Sequence, residues 1–280
     1  MREIPFDLVA QTVAELCVWA NTQLPEDLRC AIRQAQGAER SPVGRAILGD
    51  LEENFTFAGA EGLPICQDTG AAVVFADWGQ ECHLTGGSLE DAVNTGVAKG
   101  YVDGKLRLSV VGDPLRRVNT GNNTPAVLHL RMVTGDKVSL TVAPKGAGSE
   151  NMSVLRMFNP SVAREEIEDF IVDTVDRAGA NPCPPVVVGV GLGGTADLAC
   201  ILAKRALLRP VGEPNPDPFY GEMEQRILGK INALGIGPQG LGGTVTALGV
   251  AIEPAATHIA TLPCAVCFGC HVTRHASAEL

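Results

Sequence analysis

The chain is short of positive charge: lysine and arginine total 22 against 32 aspartates and glutamates, a formal net charge of −10. That balance argues against nucleic acid or an anionic membrane as the main partner, since both recruit proteins through dense cationic faces. A small anionic substrate would therefore need locally placed cations. The N-terminus, Met1-Arg2-Glu3-Ile4-Pro5-Phe6-Asp7, lacks the basic-then-apolar order of a secretory signal. An uninterrupted bilayer-spanning run is missing too. Ile231 to Ile252 is uncharged and long enough, but six glycines and Pro238 break it, and prolines 182, 184 and 185 break Ala178 to Ala196. With neither signal nor span, a cytoplasmic location is expected. Internal repeats, low-complexity tracts and an evident linker are also lacking, so residues 1–280 are expected to form one continuous unit.

What is present is apolar mass and thiols. At 280 residues and 45% hydrophobic content the chain can bury a sizeable core, which excludes disorder and a disulfide-stapled mini-protein. Nine cysteines, an odd number without a secretory context, are expected to be reduced, and metal or redox chemistry becomes the first question.

The pattern predicts a mixed α/β fold, with a helical part over 1–62 packed on a mixed α/β part over 63–280. Leu8, Val9, Val13, Leu16, Cys17 and Ala20 recur at helical spacing, Asp7 is placed to cap that helix, and Ser41-Pro42 opens another. Strand-like runs begin at Ala71. Ala126 to Val133 and Lys137 to Val142, joined through Thr134-Gly135-Asp136, read as a hairpin. Ser88 with Asp91 marks a capped helix start, and Glu165–Arg177, Thr195–Leu208 and Pro218–Leu234 read as further helices. Pro185–Val190, Thr244–Ile252 and Ile259–Val266 read as strands.

Glycine gathers in four motifs beside unusual polar residues: Leu63 to Gly70, Pro144 to Asn151, Asn181 to Pro185 with its glycine tail, and Gly235 to Gly243. Such density either marks tight turns or lets backbone amides approach a ligand. Gly189 to Gly194 fits a dinucleotide fingerprint, yet the required second strand ending in an acidic residue is replaced by Leu208-Arg209-Pro210 and a proline-rich loop, so no nicotinamide site is expected. Cys264, Cys267 and Cys270 form Cys-x-x-Cys-x-x-Cys without the fourth cysteine and proline of a ferredoxin run. Cys17, Cys30, Cys82 and Cys200 are expected to pack as small hydrophobes. Cys66, Cys183 and Cys270 sit at glycine- or proline-flanked turns, where a sulfur can be presented to a cluster. Asp68 can move a proton or cap its own glycine turn, and His258 can bind a carboxylate or be an ordinary buried histidine.

With these motifs in this order, the chain resembles the iron–sulfur hydro-lyases that comprise class I fumarate hydratases and L(+)-tartrate dehydratases, specifically the α chain of the two-subunit forms. The resemblance implies a [4Fe-4S] cluster held by Cys66, Cys183 and Cys270. It implies that Gln67, Asp68, Arg107, Gly146 and His258 face a small dicarboxylate, with Lys145 nearby, and that Asp68 and His258 are the catalytic candidates. It also implies a separate β chain, in a hetero-oligomer, that completes the active site, because this sequence stops soon after Cys270. Reversible hydration of fumarate to (S)-malate is the expected reaction, with tartrate dehydration as the alternative. An electron-transfer iron–sulfur protein using Cys264, Cys267 and Cys270 is the alternative from another class.

Overall fold

Apolar residues at three- and four-residue steps make the N-terminal region helical, as expected. The computed structural model describes residues 1–280. It has strand β1 at Arg2–Pro5, then helices α1 at Phe6–Thr22, α2 at Glu26–Ala38 and α3 at Pro42–Glu61. Ser41 caps α3, its hydroxyl accepting from the Gly44 amide at 3.2 Å. Asp7 does not cap α1: Pro5 holds that position and Asp7 lies inside the first turn, where its charge still complements the helix dipole. The chain continues through β2 (Ala71–Gly79), β3 (Cys82–Thr85), α4 (Leu89–Asp103), β4 (Val127–Val133), β5 (Val138–Lys145) and α5 (Ala147–Glu150). It ends through β6 (Val154–Phe158), α6 (Arg164–Ala178), β7 (Val186–Gly193), α7 (Ala196–Ala206), α8 (Pro218–Ala233), β8 (Ala247–Ala255), β9 (Leu262–Gly269) and β10 (Ala276–Glu279). The class is mixed α/β, and no helix is long and apolar enough to cross a membrane.

Two compact units divide the chain. The first comprises Met1–Pro25, Phe55–Gly146 and Arg274–Leu280. Its four-stranded sheet has the order β10-β5-β2-β4, with β4 parallel and β5 antiparallel to β2. The expected β4–β5 hairpin is therefore absent. β2, buried along most of its length, takes the central place between them, and its end enters their turn: Gly79 donates to Lys137 O at 2.9 Å, Gln80 to Val133 O at 2.8 Å and Glu81 to Gly135 O at 3.0 Å. Helices α1 and α4 pack over a core that includes Val13, Val74, Val97 and Leu140. Gly96 and Gly100 permit the close crossing, since a Cβ there would lie 2.5 Å from Ala10 O and 2.7 Å from Ala14 O. Helix α4 starts at the capping pair read from the sequence, with the Asp91 amide donating to Ser88 Oγ at 3.1 Å.

The second unit comprises Glu26–Asn54 and Ala147–Thr273. Its sheet has the order β6-β9-β7-β8, and β7 is buried on both faces, as its unbroken apolar run suggests. Val186, Val188 and Val190 enter the core with Ile171 of α6 and Ile227 of α8. Gly189 and Gly191 alternate to the opposite face, where a Cβ would fall 2.2 Å from Ala203 O and 2.0 Å from Ala199 O of α7. The glycine pattern that imitates a nucleotide fingerprint thus lies inside the strand and lets α7 approach the sheet.

Candidate functional site

In the first unit, the segment Cys66 to Gly70 is an irregular turn whose last three carbonyls are each held by a buried side chain. Ile65 N donates to Asn21 O at 3.0 Å, Tyr101 Oη to Thr69 O at 2.8 Å, and Asn123 Nδ2 to Gly70 O at 3.0 Å. Arg274, only 5% exposed, donates through a terminal nitrogen to Asp68 O at 2.6 Å and through Nε to Asn21 Oδ1 at 3.0 Å. Burial pushes the Tyr101 phenol up, so it stays a donor. The Thr69 hydroxyl accepts from Arg107 N at 2.9 Å and donates to Arg107 O at 3.2 Å, tying the backbone of the candidate cation to the turn. Gly70 has φ +74°, and a Cβ on it would lie 2.7 Å from Lys145 N, so only glycine lets this turn rest against the end of β5.

The turn therefore brings Gln67, Asp68, Arg107, Lys145 and Gly146 into one neighbourhood. Asp68 Oδ1 accepts from its own Gly70 amide at 3.0 Å, the local turn bond weighed from sequence, while Oδ2 faces Gly146, where a Cβ would sit 3.2 Å away. The Arg107 side chain is exposed, Cys66 is half-buried, and its sulfur lies 3.4 Å from Gln67 Oε1. Sequence reasoning missed Thr69, Tyr101, Asn123 and Arg274. Their signal is a polar side chain buried where its partner is distant in sequence.

In the second unit, Cys183 is exposed and has φ +56°, a conformation that costs a non-glycine residue and projects its side chain from the turn. Its carbonyl accepts from His271 N at 3.2 Å, which brings the Cys183 turn against the Cys270 turn. Cys270 follows the end of β9, is half-buried, and receives the Val272 amide on Sγ at 3.4 Å, a bond that stabilises a thiolate. His258 is neither buried nor at a strand entry. It lies exposed before β9, its hydrogen bonds staying within its own turn, with Ala260 N donating to Nδ1 at 3.1 Å.

No cysteine pair forms a disulfide. Cys17 and Cys82 are buried as expected, and burial pushes the Cys17 thiol up to about 12. Cys30 and Cys200 contradict their expected packing role: each is exposed, Cys30 on the face of α2 opposite the buried Leu28 and Ile32, and Cys200 at the edge of the buried stripe of α7 formed by Ala199, Ala203 and Ala206. Cys264 and Cys267 stand three residues apart on β9 and so point to opposite faces. Cys264 is in the core with its thiol pushed up to about 12 by burial, whereas Cys267 Sγ receives Ser153 Oγ at 3.5 Å. They cannot join Cys270 in a ferredoxin-like run. No three His, Cys, Asp or Glu side chains gather at the spacing of a single metal ion.

In the first unit of this mixed α/β chain, acid, amide and cationic groups surround a fixed turn, and in the second unit two thiols sit on adjoining irregular turns. A family model described as fumarate hydratase (Fumerase) matches residues 10–279. A Methanocaldococcus jannaschii protein named "Putative L(+)-tartrate dehydratase subunit alpha" is 40% identical over 274 residues, covering 96% of each chain. The L(+)-tartrate dehydratase subunit alpha of Escherichia coli strain K12 is 33% identical over 270 residues, covering 95% of this chain and 88% of its own. This chain belongs to the fumarate hydratase (Fumerase) family of hydro-lyases.

Proposed function

We propose that the chain is the α subunit of an iron–sulfur hydro-lyase that dehydrates L(+)-tartrate to oxaloacetate, working with a separate β subunit. The observation that carries this is likeness along almost the whole chain to relatives bearing that subunit name, where fumarate hydration was the expectation from sequence. Cys66, Cys183 and Cys270 are assigned as the holders of a [4Fe-4S] cluster. The donor chemistry fits: all three are accessible soft sulfurs at irregular turns, and one already receives an amide hydrogen bond, whereas Cys17 and Cys264 are sealed in cores. Held by three thiolates, such a cluster supplies one open iron as a Lewis acid toward a substrate oxygen.

The chain's own residues take the remaining work. Asp68 holds or moves the proton at Oδ2, its other oxygen being engaged by Gly70. Arg107 and Lys145 oppose the two carboxylates, Gly146 leaves room for substrate beside Asp68, and Gln67 orients a substrate oxygen. His258 is assigned to a substrate carboxylate, as the family resemblance implies. A second reading, hydration of fumarate to (S)-malate, is favoured by the description of the matching family model.

Anaerobic assays of the reconstituted complex on tartrate and malate in parallel decide between the two. The proposal expects kcat/KM on tartrate to exceed that on malate by at least about a hundredfold, as when a site built around a hydroxyl meets an analogue lacking it. The reverse ranking assigns the fumarate reaction.

A further inference from the structure

The two thiol-bearing turns of the second unit are joined by residues to which neither the family likeness nor the proposed mechanism gives a role. Gln239 has φ +53° within the single helical turn Pro238–Gly240, a left-handed conformation that glycine would adopt at less cost. Its backbone N–H donates to Pro184 O at 2.7 Å, and its side-chain Nε2 donates to the same carbonyl at 2.8 Å. Nε2 also lies 3.1 Å from His271 Nδ1. His271 in turn meets the Cys183 carbonyl twice, through its backbone N–H at 3.2 Å and with Nδ1 at 3.0 Å. Nδ1 serves one partner at a time, accepting from the Gln239 side-chain amide or donating to the Cys183 carbonyl, and either choice ties the same two turns. Gln239 thus grips the residue after Cys183, and His271, the residue after Cys270, grips Cys183 itself.

The loop that carries Gln239 is anchored in its own right. Glu39, 1% exposed, accepts from Thr244 N at 2.9 Å and Val245 N at 2.8 Å. Gly240 comes so close to Ala180 that a Cβ on it would lie 2.3 Å from that side chain. The amide of Gln239 is therefore delivered by a rigid segment.

We propose that Gln239 and His271 are positioning residues, a bracket that sets the separation and aim of the Cys183 and Cys270 thiols before a cluster is bound. The proposal rests on the reading of these cysteines as cluster ligands. Neither side chain need touch iron or sulfide: each acts on the backbone that carries a ligand. Two sulfurs already held in place need less ordering when the cluster is assembled, and they release iron more slowly afterwards.

The test uses the full-length chain, reconstituted anaerobically, with iron and sulfide per chain and the rate of iron removal by a chelator as readouts. Gln239→Met keeps the side-chain length and removes the amide. His271→Leu removes Nδ1, and His271→Asn restores a polar nitrogen near the same position. Gln239→Met and His271→Leu should lose iron about ten- to a hundredfold faster than the wild type, the range seen when outer partners of metal ligands are removed. Their far-ultraviolet circular dichroism should be unchanged, and His271→Asn should stay close to the wild type. Wild-type loss rates in both Gln239→Met and His271→Leu overturn the bracket. So does a His271→Asn variant that sheds iron as fast as His271→Leu, because side-chain packing then suffices. A wild-type chain that takes up no cluster, or a Cys183→Ser variant that keeps a complete one, overturns the ligand assignment itself and the bracket with it.

Discussion

Two carboxylates show how environment divides one chemistry into separate roles. Glu39 is almost fully buried, which pushes its pKa up, but amides of Ser41, Thr244 and Val245 and the Thr244 hydroxyl outweigh burial and hold it below its ordinary 4.5. A depressed folded-state value means that this stabilisation is fully present above the ordinary value and disappears as the pH falls through the lowered one. Glu39→Gln, which turns an amide N–H toward other N–H groups, should cost about 2 kcal/mol at neutral pH. The gap from the wild type should shrink on acidification to pH 3, measured by denaturant unfolding at both values. A constant gap would remove the charge from the explanation. Asp68 has one oxygen held by its own turn and the other beside Gly146. In the assembled complex, Asp68→Asn should keep its iron while kcat drops by about a hundredfold or more, the contribution of a positioned proton-transfer group. Near-normal turnover with full iron content would take Asp68 out of the proton path.

At the scale of elements, what the sequence discloses depends on how local the determining contacts are. Helix α4 is legible because Ser88 and Asp91 satisfy each other within one turn, and α8 because Pro218 opens it in the first turn, although the Asp217 cap ahead of it goes unread. The β4–β5 pairing is misread because the strand between them comes from about fifty residues earlier, and no turn residue records it. β6 and β10 are invisible for a related reason. The first is largely exposed and the second is only Ala-Ser-Ala-Glu, so each is a strand by virtue of its partner, β9 or β5. The candidate site divides along the same line. Cys66, Asp68, Cys183 and Cys270 stand out because glycine and proline mark the turns that display them. Tyr101, Asn123 and Arg274, which hold one of those turns, bond to backbone atoms 32, 53 and 206 residues away and leave no local trace. Cys264 and Cys267 suggest a metal run by spacing, but strand alternation, visible once β9 is in place, sends them to opposite faces.

For the whole molecule, the charge of −10 opposes a dianionic substrate at long range, and only local cations can reverse that field. The candidate site supplies Arg107 and Lys145, few for two carboxylates and the further negative charge that develops as a proton leaves carbon. A partner chain contributing the remaining positive groups would resolve the shortfall, and the subunit naming of the relatives points the same way. On the proposed reading the division of labour is specific: this chain would hold the cluster, and turnover would require the pair. Reconstituted alone, it should bind its full complement of iron yet turn tartrate over near the detection limit. Adding increasing amounts of the β chain should raise turnover to a plateau while the iron per α chain stays constant, followed by coupled assay of oxaloacetate and by iron analysis of the same samples. Full activity of the isolated chain would show that its own cations suffice. A rise in activity matched by a rise in iron would give the partner a role in holding the cluster instead of completing the substrate site.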